Sequence, residues 1–248
     1  FTKKPKSGNM KRFALLIGNT RDLAGVPLDL QKTRQFLCSA IGGDWMPAEI
    51  EEHLNPSRAK LLEAIKRAKD SGFDYTIVMF SGHGGQKRET VLELNSRGEQ
   101  INESELWNIS PRQTNIFDCC RALMPETVRK SIAMDSLRES AALVSSVRAR
   151  YEQRIMQAIP QQVRLYACAV GQSAYDMGEG KGALYLGNLL DAARALPQGE
   201  RFKAVETAHA EARAATMVAA AKNGVQQNPD AFLPKCLSEQ RLILSIAL

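Results

Sequence analysis

Short, continuous apolar runs alternate along this chain with stretches whose apolar residues recur three or four apart. That is the pattern of buried strands alternating with amphipathic helices. KRFALLIGN (11–19) is apolar and closed by a glycine turn, which predicts a buried strand. DLQKTRQFLCSAI (29–41) places Leu30, Phe36, Leu37, Cys38 and Ile41 at helical spacing and stops at Gly42-Gly43. EIEEHL (49–54) predicts a short strand, and NPSRAKLLEAIKRAKDSG (55–72) a helix with Asn and Pro at cap positions and a closing glycine. FDYTIVMFSGHGG (73–85) contains the most apolar strand and runs straight into a glycine-rich loop. VLEL (91–94) suits a hairpin strand, INESELWNI (101–109) a short helix, and TNIFDCC (114–120) another strand. From Arg121 to about Gln162 the chain turns arginine-rich, and Val144, Val147, Tyr151, Ile155 and Ile159 mark an amphipathic helix in its second half. VRLYACAV (163–170) returns to a strand, 182–196 and 201–224 read as helices, and QRLILSIAL (240–248) as a last strand.

Strands alternating with helices predict an α/β protein: a three-layer α/β/α sandwich around a mainly parallel sheet covered on both faces. The 248 residues show no internal repeat and no low-complexity linker, so one domain over 1–248 is expected. No apolar run approaches the roughly 18 residues needed to cross a bilayer, so no membrane partner is expected. Five cysteines form no framework spacing, which favours free thiols and a cytoplasmic location. The chain opens on Phe1, which implies trimming or processing upstream. Net charge is +6, and Lys3, Lys4, Lys6, Lys11 and Arg12 cluster at the start. Without interleaved aromatics to stack on bases, this run reads as a solvated tail rather than a nucleic-acid site.

In an open α/β sheet, ligands bind beyond the carboxyl ends of the strands. Two strands carry reactive side chains there: Ser81-Gly82-His83-Gly84-Gly85 after one, and Asp118-Cys119-Cys120 after the other. If the two are parallel neighbours, His83 and the thiols share a rim, as a Cys/His nucleophilic pair requires. Strand alternation separates the two cysteines. Ile116, Asp118 and Cys120 point one way; Phe117 and Cys119 point the other, into the core beneath a helix. Cys120 is therefore the candidate nucleophile and His83 its acid–base partner, with backbone N–H groups of Gly84 and Cys120 as candidate oxyanion donors, worth about 3 kcal/mol each. His53 and His209 lie on separate elements without ligand spacing, so no metal site is expected. GEGKGALYLG (178–187) lacks a GK[ST] ending and is not a phosphate loop; a mobile loop flanking the cleft suits its glycines.

These residues resemble the caspase and metacaspase cysteine proteases. SGHGG after a buried strand is similar to that family's histidine motif, and DCCRA to its cysteine motif, with Cys120 in the nucleophile position. ALLIGN resembles the first strand, YACAVGQSAYD (166–176) the later strand and substrate-lining loop, and GKGALYLGNLL the helix that follows. The spacing from His83 to Cys120 is shorter than the roughly 50 residues of caspases, as in a compact prokaryotic relative. The resemblance implies residues 1–120 as a large-subunit-like part, 163–248 as a small-subunit-like part, and 121–162 as a linker or insertion. It also implies a role in stress, defence or cell-death signalling. Calcium-binding metacaspases carry an acid-rich stretch after the histidine; QKRETVLELNSRGEQ (86–100) mixes glutamates with basic residues, so no calcium dependence and no cofactor are expected.

Caspases cut after aspartate, metacaspases after arginine or lysine through an acidic pocket. Asp118 falls on the metacaspase acid two positions before the nucleophile, and Leu23-x-Gly25-x-x-x-Asp29 on the second pocket acid. The expected substrates are proteins with Arg, then Lys, before the scissile bond. Helix-start and turn-capping roles remain alternatives for Asp29 and Asp118. Segment 121–162 holds Arg129, Arg138, Arg148 and Arg150 as candidate processing sites for zymogen control, by an activating protease, a regulatory partner or the enzyme itself; an inserted basic helical subdomain is the alternative. A silent caspase-like interaction module and a protease dedicated to one partner remain the rival functions.

Overall fold

The structure is a computed structural model; it describes residues 10–123, 146–178 and 180–248. Strand β1 (Arg12–Gly18) is buried along its whole length. Helix α1 (Val26–Cys38) follows, starting three residues before the expected Asp29 because Gly25 and Pro27 open it. Strand β2 (Ile50–Leu54) pairs parallel with β1. Helix α2 (Arg58–Asp70) is capped by Ser57, whose Oγ accepts from the Lys60 N–H, rather than by Asn55 or Pro56. Strand β3 (Tyr75–Ser81) is again wholly buried. Strands β4 (Gly84–Gln86), β5 (Thr90–Glu93) and β6 (Gln100–Asn102) form a separate antiparallel sheet. The helix expected over 101–109 is a single 3-10 turn, Glu103–Leu106.

Strand β7 (Arg112–Asp118) ends before the cysteines. Helix α3 (Ser146–Gln157) lies within the arginine-rich stretch, as the apolar spacing implies. Strand β8 (Gln161–Tyr166) and helix α4 (Leu184–Arg194) follow. The helix expected from residue 201 begins instead as strand β9 (Phe202–Ala204) and turns helical as α5 (Val205–Lys222). Strand β10 (Asp230–Phe232) has no apolar run to announce it, and β11 (Ile243–Ile246) pairs antiparallel with β9 outside the main sheet.

Among the described residues the main sheet has six strands in the order β10-β8-β7-β3-β1-β2, parallel except for the edge strand β10. One face, with Ala14, Leu16, Ile77, Met79, Ile116 and Leu165, packs under α1, α3, α4 and α5. The other, with Leu15, Ile17, Val78, Phe80 and Phe117, packs under α2 and the small sheet. This is the three-layer sandwich that the alternation implies.

Arg12 is not part of a solvated tail. Its side chain is fully buried at the start of β1, donates to the Gly43 and Asp44 carbonyls at 2.8 and 2.6 Å, and stacks 4.6 Å from the Trp45 ring centroid. Glu49 accepts from Arg12 at 3.1 Å and from Arg148 of α3 at 2.5 and 2.9 Å. A buried charge that loses its partner costs several kcal/mol, whereas an exposed pair contributes little. Glu152 also pairs with Arg148 at 2.8 Å and with Arg12 at 3.8 Å. Glu49→Ala is therefore expected to lower the unfolding free energy in urea titration by at least about 1 kcal/mol, but by less than the roughly 3–5 kcal/mol of a fully unpaired buried charge. Arg34→Ala, which breaks the half-exposed pair with Glu52, should cost under about 1 kcal/mol; equal losses would contradict this account.

Candidate active site

Strands β3 and β7 run parallel side by side, with Ser81 opposite Asp118. Their tips stay joined, the Gly82 N–H donating to the Asp118 carbonyl at 3.1 Å. His83 and Cys120 consequently line one pocket of about 80 Å³, together with Asp29, Ser81 and Asp118.

The alternation that distinguishes the two thiols persists past the end of the strand. Cys119 is buried in the same cluster as Val78, Phe80 and Phe117. It lies against the small sheet rather than under a helix: a Cβ on Gly84 would sit 2.8 Å from the Cys119 sulfur. Burial, reinforced by Cys168, pushes its thiol well above the ordinary range. Cys120 is half-buried and lines the pocket, its thiol donating to the Ala174 carbonyl at 3.6 Å.

The His83 Nε2 lies 2.5 Å from the Arg21 carbonyl oxygen. A carbonyl only accepts, so Nε2 carries the proton in this contact, and in the neutral ring Nδ1 is the basic nitrogen. Arg21 is presented by a turn in which Leu23 N–H donates to the Thr20 carbonyl at 3.1 Å. Asp22 completes it with a φ of 55°, a left-handed conformation that short polar residues tolerate. The Arg21 side chain pairs with Glu93 at 2.9 Å.

Three carboxylates stand around the pocket. Asp29, in the first turn of α1, accepts from Ser81 Oγ at 2.6 Å and from the Ala183 N–H at 2.9 Å. Asp118 accepts from the Leu186 N–H in the first turn of α4 at 2.8 Å. Burial raises the Asp29 carboxyl to about 6; its two hydrogen bonds oppose the shift, Asp176 adds to it, and Lys32 gives a weaker pull back. Burial and the neighbouring Asp29 push Asp118 well above the carboxylate range. Asp176, the third acid, accepts from the Gly25 and Gly178 N–H groups at 3.0 and 2.9 Å. Among the described residues no group of His, Cys, Asp or Glu is arranged to hold a metal ion.

The site residues read from the sequence thus come together with two exceptions of kind. Gly84 opens β4 just behind the pocket, against Cys119. Of the candidate processing arginines, Arg148 and Arg150 lie in α3, away from the rim, and Arg129 and Arg138 fall outside the described residues. Sequence reasoning gave no role to Ser81, the Arg21 carbonyl or Asp176. Ser81 had a signal, since it shares His83's side of an alternating strand end, and Asp176 had one in closing YACAVGQSAYD, the stretch that resembles the substrate-lining loop.

A mainly parallel sheet with an imidazole and a thiol at adjacent strand tips, over a pocket, defines the caspase-fold class of cysteine peptidase. The chain belongs to that family: the family pattern described as Caspase domain matches residues 11–233. Among solved structures, it is similar to the crystal structure of caspase-1 from Spodoptera frugiperda. The TM-score is 0.60 at 11% sequence identity, over 90% of this chain and 86% of that one, a likeness of fold. No curated protein matches the sequence. No helix among the described residues is long and apolar enough to cross a membrane.

The Asp29 carboxyl carries a sign-definite prediction. Its folded-state value of about 6 exceeds the ordinary 3.8, so the folded protein binds the extra proton between those values. The corresponding stability is present below about pH 4 and lost as pH rises through 6, a swing of about 3 kcal/mol. Unfolding midpoints of wild type and Asp29→Asn should therefore diverge with rising pH, the variant gaining on wild type between pH 4 and 7. Parallel pH profiles would show that Asp29 is not held in its neutral form.

Proposed function

We propose that this chain is a cysteine endopeptidase that cuts proteins after arginine, with lysine second, using Cys120 and His83. The observation that carries the reading is that two buried carboxylates, Asp29 and Asp118, line the same pocket as Cys120 and His83. A guanidinium offers five donors in a rigid fork suited to paired carboxylates, and a lysine ammonium fits the same hole less specifically. At neutral pH Asp29, at about 6, is already mostly ionised, and pairing with both carboxylates offsets the cost of burying the cation.

In the chemical step, His83 Nδ1 takes the thiol proton and the Cys120 sulfur attacks the carbonyl carbon. The Cys120 N–H stabilises the oxyanion; Gly84 does not line the pocket, and its N–H joins only if the start of β4 shifts toward the substrate. The imidazolium gives its proton to the leaving amine, and a thioester remains on Cys120. Water, deprotonated by His83, then attacks the thioester, releases the new carboxyl terminus and restores the thiol.

In a fluorogenic peptide panel, Arg-ending substrates should be cut fastest, Lys-ending ones more slowly and Asp-ending ones not at all. Cys120→Ala should lose at least about a thousandfold of the rate, and Cys119→Ala little. Cleavage of Asp-ending but not Arg-ending peptides would overturn the reading.

Control by processing is part of the same proposal. Cleavage after Arg148 would require unwinding of α3 and loss of the buried pair with Glu49, and Arg150 is also helical, its guanidinium bonded to the Ala247 carbonyl. Arg129 and Arg138 are therefore the favoured sites. Terminal mapping of Cys120→Ala incubated with active enzyme should find new ends after one of them; a fully active protein with that segment intact would count against processing.

A further inference from the structure

We propose that Asp176 is a positioning residue for His83: it clamps the far end of the turn whose Arg21 carbonyl holds the imidazole. The inference rests on reading His83 and Cys120 as a working pair. The turn spans residues 19–25, and its near end is fixed by Asn19. That residue is wholly buried, its N–H donates to the Ser81 carbonyl at 3.0 Å, and its Oδ1 accepts from the Arg21 N–H at 3.1 Å. The far end is fixed from 151 residues away in sequence, by the Asp176 Oδ2 accepting from the Gly25 N–H at 3.0 Å. The other carboxylate oxygen accepts from Gly178, and Asp176 pairs by a backbone bridge with Ala183, the residue whose N–H donates to Asp29. One side chain thus joins the histidine's turn, the start of α1 and the loop that closes the acidic pocket.

The fit is tight enough to dictate the residue at Gly25. A Cβ there would lie 2.2 Å from the Asp176 Oδ1 and 2.7 Å from the Gly182 Cα, so any side chain pushes the turn away from the clamp. A carboxylate that served only as a third charge for a substrate cation would not need this contact. The two roles separate by experiment. Asp176→Asn keeps an acceptor oxygen for Gly25 but loses the charge and the acceptor for Gly178; Asp176→Ala loses all three; Gly25→Ala keeps the charge and breaks the approach. Displacing a catalytic group by about 1 Å can cost on the order of a hundredfold in rate.

The test is the rate of Cys120 alkylation by iodoacetamide from pH 5 to 10, with kcat and KM on an Arg-ending peptide beside it. Cys120→Ala, which keeps the half-buried Cys38 and Cys236 thiols, gives the background rate, and circular dichroism checks the fold. Gly25→Ala and Asp176→Ala should lower kcat about 10- to 100-fold with smaller changes in KM. Their alkylation pH profiles should move toward that of His83→Ala, and Asp176→Asn should stay near wild type in alkylation. Wild-type profiles for Asp176→Ala and Gly25→Ala, with only KM raised, would overturn the clamp and leave Asp176 a pocket charge. If Gly25→Ala does not fold, the Asp176→Ala and Asp176→Asn pair carries the same comparison. Alkylation needs no substrate, so a wild type that cuts no Arg-ending peptide defeats the specificity reading alone. A His83→Ala variant alkylated like wild type defeats the pair, and the clamp with it.

Discussion

The pairing of β3 with β7 in a single register is the constraint on which the site depends. Ser81 lies opposite Asp118, and the Gly82 N–H closes onto the Asp118 carbonyl. Because side chains alternate, a slip of one residue would turn every side chain of one strand to the wrong face. In the register observed, each strand places its last residue and the residue two further on toward the pocket. Ser81, His83, Asp118 and Cys120 all line the one pocket. The candidate binding and reacting side chains are thus placed by one alignment of two strands, and the intervening Cys119 is sent into the opposite core.

That geometry conflicts with the electrostatics of folding. Carboxylates taken out of water near one another favour their neutral forms, and Asp29 and Asp118 both do so. The fold tolerates them because each also accepts backbone N–H bonds, Asp29 from Ala183 and Asp118 from Leu186. A helix start is a suitable donor for an anion, so α4 serves the pocket as well as the core. The residual cost is a local instability of the kind that binding sites retain.

Much of this was legible in the sequence, for reasons that can be stated. β1, β3, β7 and β8 are continuous apolar runs, since a parallel sheet covered on both faces leaves no polar side. Cys120 was separable from Cys119 because alternation is a property of the strand alone. Asp29, Asp118 and His83 were legible through position in motifs. What depends on contacts between distant segments was not. No residue type marks the Arg21 carbonyl, because every residue has one. Nothing near Gly25 announces Asp176. Arg12 looked like part of a basic tail until the Glu49 and Trp45 contacts showed otherwise. β9 and β11 define each other only by pairing, so an alanine-rich helix seemed to begin too early and a final strand to join the wrong sheet.

The division of labour between the two ends of the chain constrains how cleavage could act. His83, Cys120, Asp29 and Asp118 precede residue 124; Ala174, Asp176, Ala183 and Leu186, which hold the thiol, the histidine's turn and both acids, follow residue 145. The halves are joined through β7 and β8, adjacent parallel strands, and through Glu49 binding Arg148 of α3. A cut between them would therefore leave the sheet and its rim assembled, with no residue of the site removed. Its effect would have to be on how the later half is held against the earlier one. The contacts through which such a change would reach the imidazole and the pocket are those that Asp176 and Ala183 make to Gly25 and Asp29.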